Sequence, residues 1–385
     1  MKKILLIDFC NYIDYPIGGY LTFSQNLISV FEDQLVLIGI TTDKNDPVGV
    51  WCKKNINGKM YDFFALARYN NRSKKRLIPD RLKSYFLLQF YKKKILARTF
   101  QNVIIQRQEI LPAVKGFGFR NICYRFPGIE NPLSISKYWM GSYFASFFER
   151  IFFSSFKTVA TILASADEQA INEMIVRSKG KIRRTSIIKF PTRIDTRIFR
   201  PTNKQDARNS LKISTQKTVI MTTGRLTLLK GWKFMIDSFS LFEKKNPNSI
   251  FYFVGAGEDF QKIKDYISLK CLDQKIILTG QKSASEISVF LNASDLFIMG
   301  SYKEGWPTSL IEAVGCGIPV CVTKFSAAKE IITEGVNGYI DETRDIKKFT
   351  DLMLKALKLQ IKKVEMSDYS ISTLKDNLLD NWPLV

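Results

Sequence analysis

Short apolar runs alternate along this chain with longer stretches in which apolar residues recur every three or four positions. The runs fit buried strands and the stretches fit amphipathic helices, and their alternation marks parallel sheets with crossover helices. In the first half the pattern predicts strands at Ile4–Phe9, Leu35–Ile40, Val103–Gln106, Ile122–Phe126, Thr158–Ala164 and Ser186–Phe190. The second half repeats it at Thr218–Thr222, Ile250–Val254, Lys275–Leu278, Leu296–Met299 and Pro319–Val322. Between them, Pro191 and Pro201 bracket a polar stretch that reads as a hinge. The expectation is an α/β protein of two Rossmann-like, doubly wound parallel-sheet domains. One covers 1–196 and is joined by a C-terminal helix at 368–385; the other covers 197–367. Ligands bind such folds beyond the carboxyl ends of the strands, so the two sheets are expected to face a central cleft.

Composition agrees with two domains and narrows the chemistry. A chain of 385 residues is too long for one core, and 45% apolar with 24% charged residues is ordinary globular usage. Histidine is absent, which removes the usual general base and every imidazole metal ligand. Lys and Arg number 58 against 36 Asp and Glu, a net charge of +22. The excess sits in residues 1–200, with 33 basic and 15 acidic side chains, whereas 201–385 hold 25 and 21. A basic half of this kind suits anionic lipid headgroups, nucleic acid or diphosphates. The six cysteines form no C-x2-C pair, so buried thiols in a reducing compartment are expected. Asp8 ends the apolar run behind Met1-Lys2-Lys3 after four residues, so this segment reads as a first strand and not a leader. No stretch reaches the roughly 18 apolar residues that a membrane span needs.

The densest motif is Gly300-Ser301-Tyr302-Lys303-Glu304-Gly305-Trp306-Pro307-Thr308-Ser309-Leu310-Ile311-Glu312, which follows a strand and opens a helix. Backbone amides from Gly305 to Leu310 and the positive helix end would face an anion there. Glu304 before the helix and Glu312 two turns in could accept hydrogen bonds from sugar hydroxyls. Plain alternatives are helix capping for Glu304 and a solvated face for Glu312. Upstream, Gly224-Arg225-Leu226 and Lys230-Gly231 place two cations where a diphosphate leaving group would need them, unless both are simply exposed. Gly255-Ala256-Gly257 is a turn that lets a phosphate approach the backbone or merely connects strand to helix. Gly280-Gln281-Lys282 ends the next strand, where backbone groups could read the edge of a base.

In this order the pieces resemble glycosyltransferase family 4, whose pattern is Gly-Arg-Leu with Lys-Gly, a Gly-x-Gly turn, a strand ending in Gly, and Glu-x7-Glu leading into Glu-Ala-x-x-x-Gly-x-Pro-Val. The match runs from Val219 to Ile340 and includes Lys329-Glu330-Ile331-Ile332 and Gly335-Val336-Asn337-Gly338; Asp195–Pro201 is similar to the family's hinge. The resemblance implies a GT-B fold and a retaining, metal-independent hexosyl transfer from a nucleotide diphosphate sugar, with no other cofactor. It implies that Arg225 and Lys230 hold the donor diphosphate, Glu312 the ribose hydroxyls and Glu304 the donor sugar. Amides at Gly305, Thr308, Ser309 and Leu310 would assist, with Gly224, Gly255, Gly257, Gln281 and Lys282 completing the donor site. In the first half it rests on Gly18-Gly19 after the first strand, which also fits a plain turn. Many family members carry a histidine at the end of an N-domain strand, and this chain has none. Arg107 and Arg125 end the corresponding strands and are expected to face the cleft. Arginine is no base at neutral pH, which is compatible with the leaving phosphate itself taking the acceptor proton.

Arg68–Arg98 contains eleven basic residues and one acid, Asp80, interleaved with Tyr85, Phe86, Leu87, Leu88, Phe90 and Tyr91. Such a segment either lies on an anionic leaflet or is a solvated charge run beside a core helix. Met140, Tyr143, Phe144, Phe147, Phe148, Ile151 and Phe152 form a second stripe at helical spacing, read first as core. The expected partners are the donor, a lipid-linked or other glycan acceptor of surface polysaccharide or lipopolysaccharide assembly, and an anionic membrane surface, with a cytoplasmic, peripheral location on the inner face of the cell membrane. No nucleic acid partner and no metal are expected. Two rivals are a nucleotide-sugar epimerase of the same fold, against which the Glu-x7-Glu signature argues, and a nucleic-acid-binding protein suggested by the charge.

Overall fold

The structure, a computed structural model, describes residues 2–16, 18–69, 80–128, 133, 141–361 and 365–385. The chain divides into two compact units, Met1–Pro191 with Ser372–Val385, and Thr192–Ile371.

The first unit holds β1 (Ile4–Ile7), α1 (Gly19–Phe31), β2 (Leu35–Thr41), β3 (Trp51–Ile56), β4 (Lys59–Arg68), α2 (Asp80–Phe90), α3 (Lys92–Ile95) and β5 (Asn102–Ile105). It continues through α4 (Ile110–Ala113), β6 (Asn121–Phe126), α5 (Gly141–Ser154), β7 (Val159–Ala164), α6 (Glu168–Ser178) and β8 (Ile187–Lys189). The strand order is β3-β4-β2-β1-β5-β6-β7-β8. Every pairing is parallel except β3 with β4. Alternate residues feed two cores: Leu5 and Ile7 enter one, Ile4 and Leu6 the other. Helices therefore cover both faces, as a parallel sheet requires.

The β3–β4 hairpin is absent from the sequence reading. Its first strand carries Lys53, Lys54 and Asn55, so no apolar run shows there, but Asn57 and Gly58 both take positive φ (51° and 85°) in its turn. An Asn-Gly pair between strands is the standing sequence signal for this turn.

The second unit runs α7 (Lys204–Ser210), β9 (Thr218–Thr223), α8 (Trp232–Lys245), β10 (Ser249–Val254), α9 (Phe260–Leu269), β11 (Ile276–Gly280) and α10 (Ala284–Ala293). Then come β12 (Leu296–Met299), α11 (Thr308–Gly315), β13 (Val320–Thr323), α12 (Ala328–Ile331), β14 (Gly338–Asp341) and α13 (Ile346–Ala356). The six strands are all parallel, in the order β11-β10-β9-β12-β13-β14. The apolar pattern predicts no strand at β14, whose four residues include Gly338 and Asp341.

The unit boundaries fall a few residues from the expected ones. Residues 192–196 go with the second unit because the Ile194 amide donates to Tyr369 O (2.8 Å) and the Ile371 amide to Ile194 O (3.0 Å). The final helix, α14 (Leu374–Asn381), returns to the first unit. There Trp382 is fully buried and its Nε1 donates to Asn121 Oδ1 at 2.7 Å. Among the described residues no helix is long and apolar enough to cross a membrane.

Candidate functional site

β10, β9 and β12 lie side by side and parallel, so the loops at their carboxyl ends meet. β9 runs through Gly224, Arg225 and Leu226 into a single 3-10 turn, Leu228–Lys230, closed by Gly231 before α8. Gly231 adopts φ 66°, and a Cβ there would sit 1.8 Å from Gly300 O. Only glycine lets the Lys230 turn press so closely on the loop after β12. The same holds one strand over, where a Cβ on Gly255 would meet Gly224 O at 2.0 Å and one on Gly257 would meet Leu226 O at 2.2 Å. These two glycines thus serve backbone packing between the strand-end loops.

Thr222, Thr223, Gly224, Arg225, Lys230 and Ser301 are among the residues lining a shallow hollow open to solvent. Lys230 Nζ lies 2.5 Å from Glu304 Oε1, and Ser301 Oγ donates to the same oxygen at 2.6 Å. Glu304 Oε2 bonds to no described residue, so it keeps its acceptor capacity for a ligand. Ser301 is fully buried, and its carbonyl accepts from Thr323 Oγ1 (2.8 Å) and Arg344 Nη1 (2.9 Å). The carboxylate is therefore held before any ligand arrives.

After Gly305, Pro307 leads into α11, which has no side-chain cap. The Thr308 and Ser309 amides are thus open to an external anion, whereas the Leu310 amide, also expected to assist, already donates to Pro307 O at 3.1 Å. Glu312, half-buried on α11, makes no side-chain hydrogen bond or ion pair with a described residue. Burial pushes its pKa up to about 7. A partly desolvated carboxylate without a hydrogen-bonding partner among the described residues retains its capacity to accept from hydroxyl donors.

At the end of β11, Gln281 is exposed and Lys282 pairs with Glu286 at 3.1 Å, beside the capping box of α10. Gly280 bridges Gly255, which brings this turn to the neighbouring loop.

The remaining candidates lie in the first unit. Gly18 precedes α1 and Gly19 opens it, and a Cβ on either would meet nothing within 4 Å. Arg107 pairs through Nε with Asp8, a fully buried carboxylate that also accepts from the Phe9 amide, Ser24 and Gln106. Burial would push the Arg107 pKa down, but the charges of Asp8 and Glu109 and the bond to Asp8 together raise it above the ordinary arginine value. Arg125 is buried over the Phe23 ring and bonds Ser165 and Gln106; burial lowers its pKa to about 10. The sequence pattern assigns no site role to Asp8, Ser301 or Arg344. The break that Asp8 makes in an apolar run was the available signal for the first, and no local pattern marks Arg344.

Arg72, Lys74, Lys75, Arg76 and Met140 lie outside the described residues. On α2, Leu82, Phe86 and Phe90 recur every fourth position and are 49, 58 and 78% exposed. Lys93 and Lys94 follow, both exposed. On α5 the aromatic stripe divides: Phe152 and Phe153 are core, whereas Tyr143, Phe144 and Phe147 are exposed. The core expectation thus fails for these three, because α5 carries aromatic residues on both faces. Among the described residues no group of three or more metal-ligating side chains could hold a metal ion.

A family model described as glycosyl transferases group 1 matches residues 203–373. The chain is 28% identical over 177 residues to a poly(glycerol-phosphate) alpha-glucosyltransferase of Bacillus subtilis, covering 45% of this chain and 26% of that protein. It is 27% identical over 171 residues to an Escherichia coli UDP-Gal:alpha-D-GlcNAc-diphosphoundecaprenol alpha-1,3-galactosyltransferase, covering 43% and 44%. The chain thus spans less than half the length of these two curated relatives. Among solved structures, sucrose-phosphate synthase from Thermosynechococcus elongatus superposes with a TM-score of 0.75 at 14% identity, covering 99% of this chain and 98% of that one. Anabaena HepE in complex with UDP and glucose gives 0.73 at 15%, covering 99% of both chains. At these identities the likeness is one of fold, over both units.

Proposed function

We propose that this chain, whose residues 203–373 match the group 1 glycosyl transferases and whose two units share the GT-B fold, is a retaining glycosyltransferase acting on a nucleotide diphosphate sugar. The observation that carries this reading is the Lys230–Glu304–Ser301 cluster beside Arg225 at the carboxyl edge of the second sheet. Arg225 and Lys230 would neutralise the charge that grows on the diphosphate as its bond to the sugar C1 breaks. The acceptor oxygen forms the new bond to C1, and its proton passes to the departing phosphate oxygen. No histidine is needed for that step. Glu304 Oε2 would take hydroxyls of the donor sugar, Glu312 those of the ribose, and the α11 amides phosphate oxygens. Gly18, Gly19, Arg107 and Arg125 are assigned to the first unit's share of substrate binding. This set of cations and amides supplies the charge stabilisation a metal would otherwise give.

The relatives guide the choice of substrates. One is named for UDP-Gal and a diphosphoundecaprenol-linked sugar, and a solved structure of the same fold holds UDP and glucose. We therefore assign a UDP-sugar as the first donor to test and a lipid-linked glycan as the acceptor class. The exposed apolar stripe of α2, followed by lysines on α3, supports docking on an anionic membrane face. Screening hydrolysis of UDP-, GDP- and dTDP-sugars, followed by NMR of the transferred anomer, tests the proposal. Turnover with retention supports it. Absence of turnover with every donor, or inversion at C1, overturns it.

A further inference from the structure

Arg344 stands in the turn between β14 and α13, with φ 55°. This left-handed conformation is uncommon for a residue with a Cβ and persists where its surroundings enforce it. Here both flanks are tied. Asp341 Oδ1 accepts from the Thr343 amide (3.0 Å) and Thr343 Oγ1 (2.8 Å), and Asp345 caps α13 by accepting from the Lys348 amide (2.8 Å). The turn delivers the Arg344 side chain away from its own elements, to the loop after β12.

There the guanidinium donates from Nη1 to Ser301 O at 2.9 Å and from Nη2 to Gly300 O at 2.8 Å. Its face lies 3.8 Å from the Tyr302 ring centroid and 4.9 Å from that of Phe234, on α8. The Lys230 turn lies alongside, where a Cβ built on Gly231 would stand 3.1 Å from Arg344 Nη2. The Tyr302 amide also donates to Leu229 O at 2.9 Å. One planar side chain thus binds the loop that carries Ser301 and Glu304 and packs on Phe234 in the helix that follows the Lys230 turn, and that turn is bonded to the same loop through Tyr302.

We propose that Arg344 is a positioning residue for sugar transfer, clamping the two loops so that Lys230, Ser301 and Glu304 keep their mutual geometry. This rests on the transferase reading of the same site. The fork matters because two adjacent carbonyls are bound at once while the plane stacks on Tyr302. A lysine would supply charge without fork or plane. Small misplacements of catalytic groups by remote residues cost as much as about 100-fold in rate.

The test compares wild type, Arg344→Lys and Arg344→Ala on the best UDP-sugar of the screen, well below the unfolding temperature of each. The expected result is a kcat lowered by about 10- to 100-fold in both variants, with donor KM and calorimetric UDP affinity within about twofold of wild type. Added guanidinium salt at millimolar concentration should restore part of the kcat of Arg344→Ala and none in wild type. A crystal structure of Arg344→Ala, which needs no activity, should show Lys230 and Glu304 parted. Wild-type kcat in Arg344→Ala, an unmoved Lys230–Glu304 pair, or a loss that guanidinium leaves unchanged and that follows thermal stability alone would overturn the proposal. A wild type inactive on every donor would instead sink the transferase reading.

Discussion

Lys230 and Glu304, 74 positions apart in the chain, meet at 2.5 Å with the lysine 31% and the glutamate 13% exposed. A partly buried pair of this kind keeps each charge compensated while the site is empty. On the proposed reading, a diphosphate bound beside Arg225 would offer Lys230 a second anion, and the lysine would be shared between carboxylate and phosphate without leaving either buried and bare.

The cations should therefore matter to rate more than to folding. Arg225→Ala and Lys230→Ala are each expected to lower kcat by about 100-fold, about 3 kcal/mol of transition-state stabilisation. Lys230→Ala also leaves Glu304 with Ser301 as its sole partner, so its donor KM should rise as well. Steady-state kinetics with circular dichroism on both variants checks this, and wild-type rates in folded protein would remove the diphosphate assignment.

Glu312 gives the site a pH signature. Its pKa of about 7, raised by burial, leaves it largely protonated at pH 6 and ionised at pH 8. Ribose hydroxyls donate best to the ionised form, so UDP affinity should tighten as pH rises through about 7. Stability should move the other way. The folded pKa exceeds the unfolded one, so folding favours the proton, and stability falls as pH rises from about 4.3, the ordinary glutamate value, to about 7. Titration calorimetry at pH 6 and 8 on wild type and Glu312→Gln separates this from ionisation of the nucleotide phosphate, because the glutamine variant keeps only the latter. Identical pH profiles would deny Glu312 its role.

What the sequence revealed and what it hid follow from how far each contact reaches. Arg225, Lys230 and Glu304 stand in strand-end loops beside glycines and Glu312 lies two turns into the helix that follows, so alternating apolar runs, turn residues and motif spacing locate them without any knowledge of packing. Ser301 sat within the motif, but its bond to Glu304 is a matter of loop shape. Arg344 reaches the site from 40 positions beyond Glu304, across a turn set by Asp341 and Asp345, and no periodicity records such a crossing. The glycine motifs were legible as turns. That Gly255 and Gly257 fit against neighbouring carbonyls, and so serve packing, required coordinates.

Glycine substitutions should consequently sort by unit. Gly255→Ala drives a Cβ to 2.0 Å from the Gly224 carbonyl, with φ at 153°, and should destabilise the protein by more than about 3 kcal/mol. Gly19→Ala meets nothing within 4 Å at a helix start and should leave the unfolding temperature unchanged or slightly raised. Any loss of transfer in Gly19→Ala would then report a ligand that approaches the backbone there. Thermal unfolding and transfer kinetics on both variants decide it, and a Gly19→Ala enzyme with unaltered kinetics would return Gly18-Gly19 to a plain turn.

The last expectation concerns membrane docking, where apolar and charged contributions can be separated. Leu82, Phe86 and Phe90 project from α2 at intervals of four, and α3 begins with Lys92, Lys93 and Lys94. Lys92 lies over the Phe117 ring and Lys94 over Tyr91, so reversing all three also removes two cation–π contacts; Lys93 is exposed. At about 1 kcal/mol per surface cation, losing three would weaken partitioning onto an anionic bilayer by about 100-fold. The triple Lys→Glu variant should lose sedimentation with phosphatidylglycerol liposomes, most visibly at low salt, where the screening length is longest. Phe86→Ser with Phe90→Ser should lose binding that salt does not remove, because burial of aromatic area is insensitive to screening. Both variants should retain slow donor hydrolysis, because neither touches a residue assigned to the donor site, while transfer to a lipid-linked acceptor falls. Undiminished liposome binding in both would make α2 and α3 a solvated face with no bilayer contact.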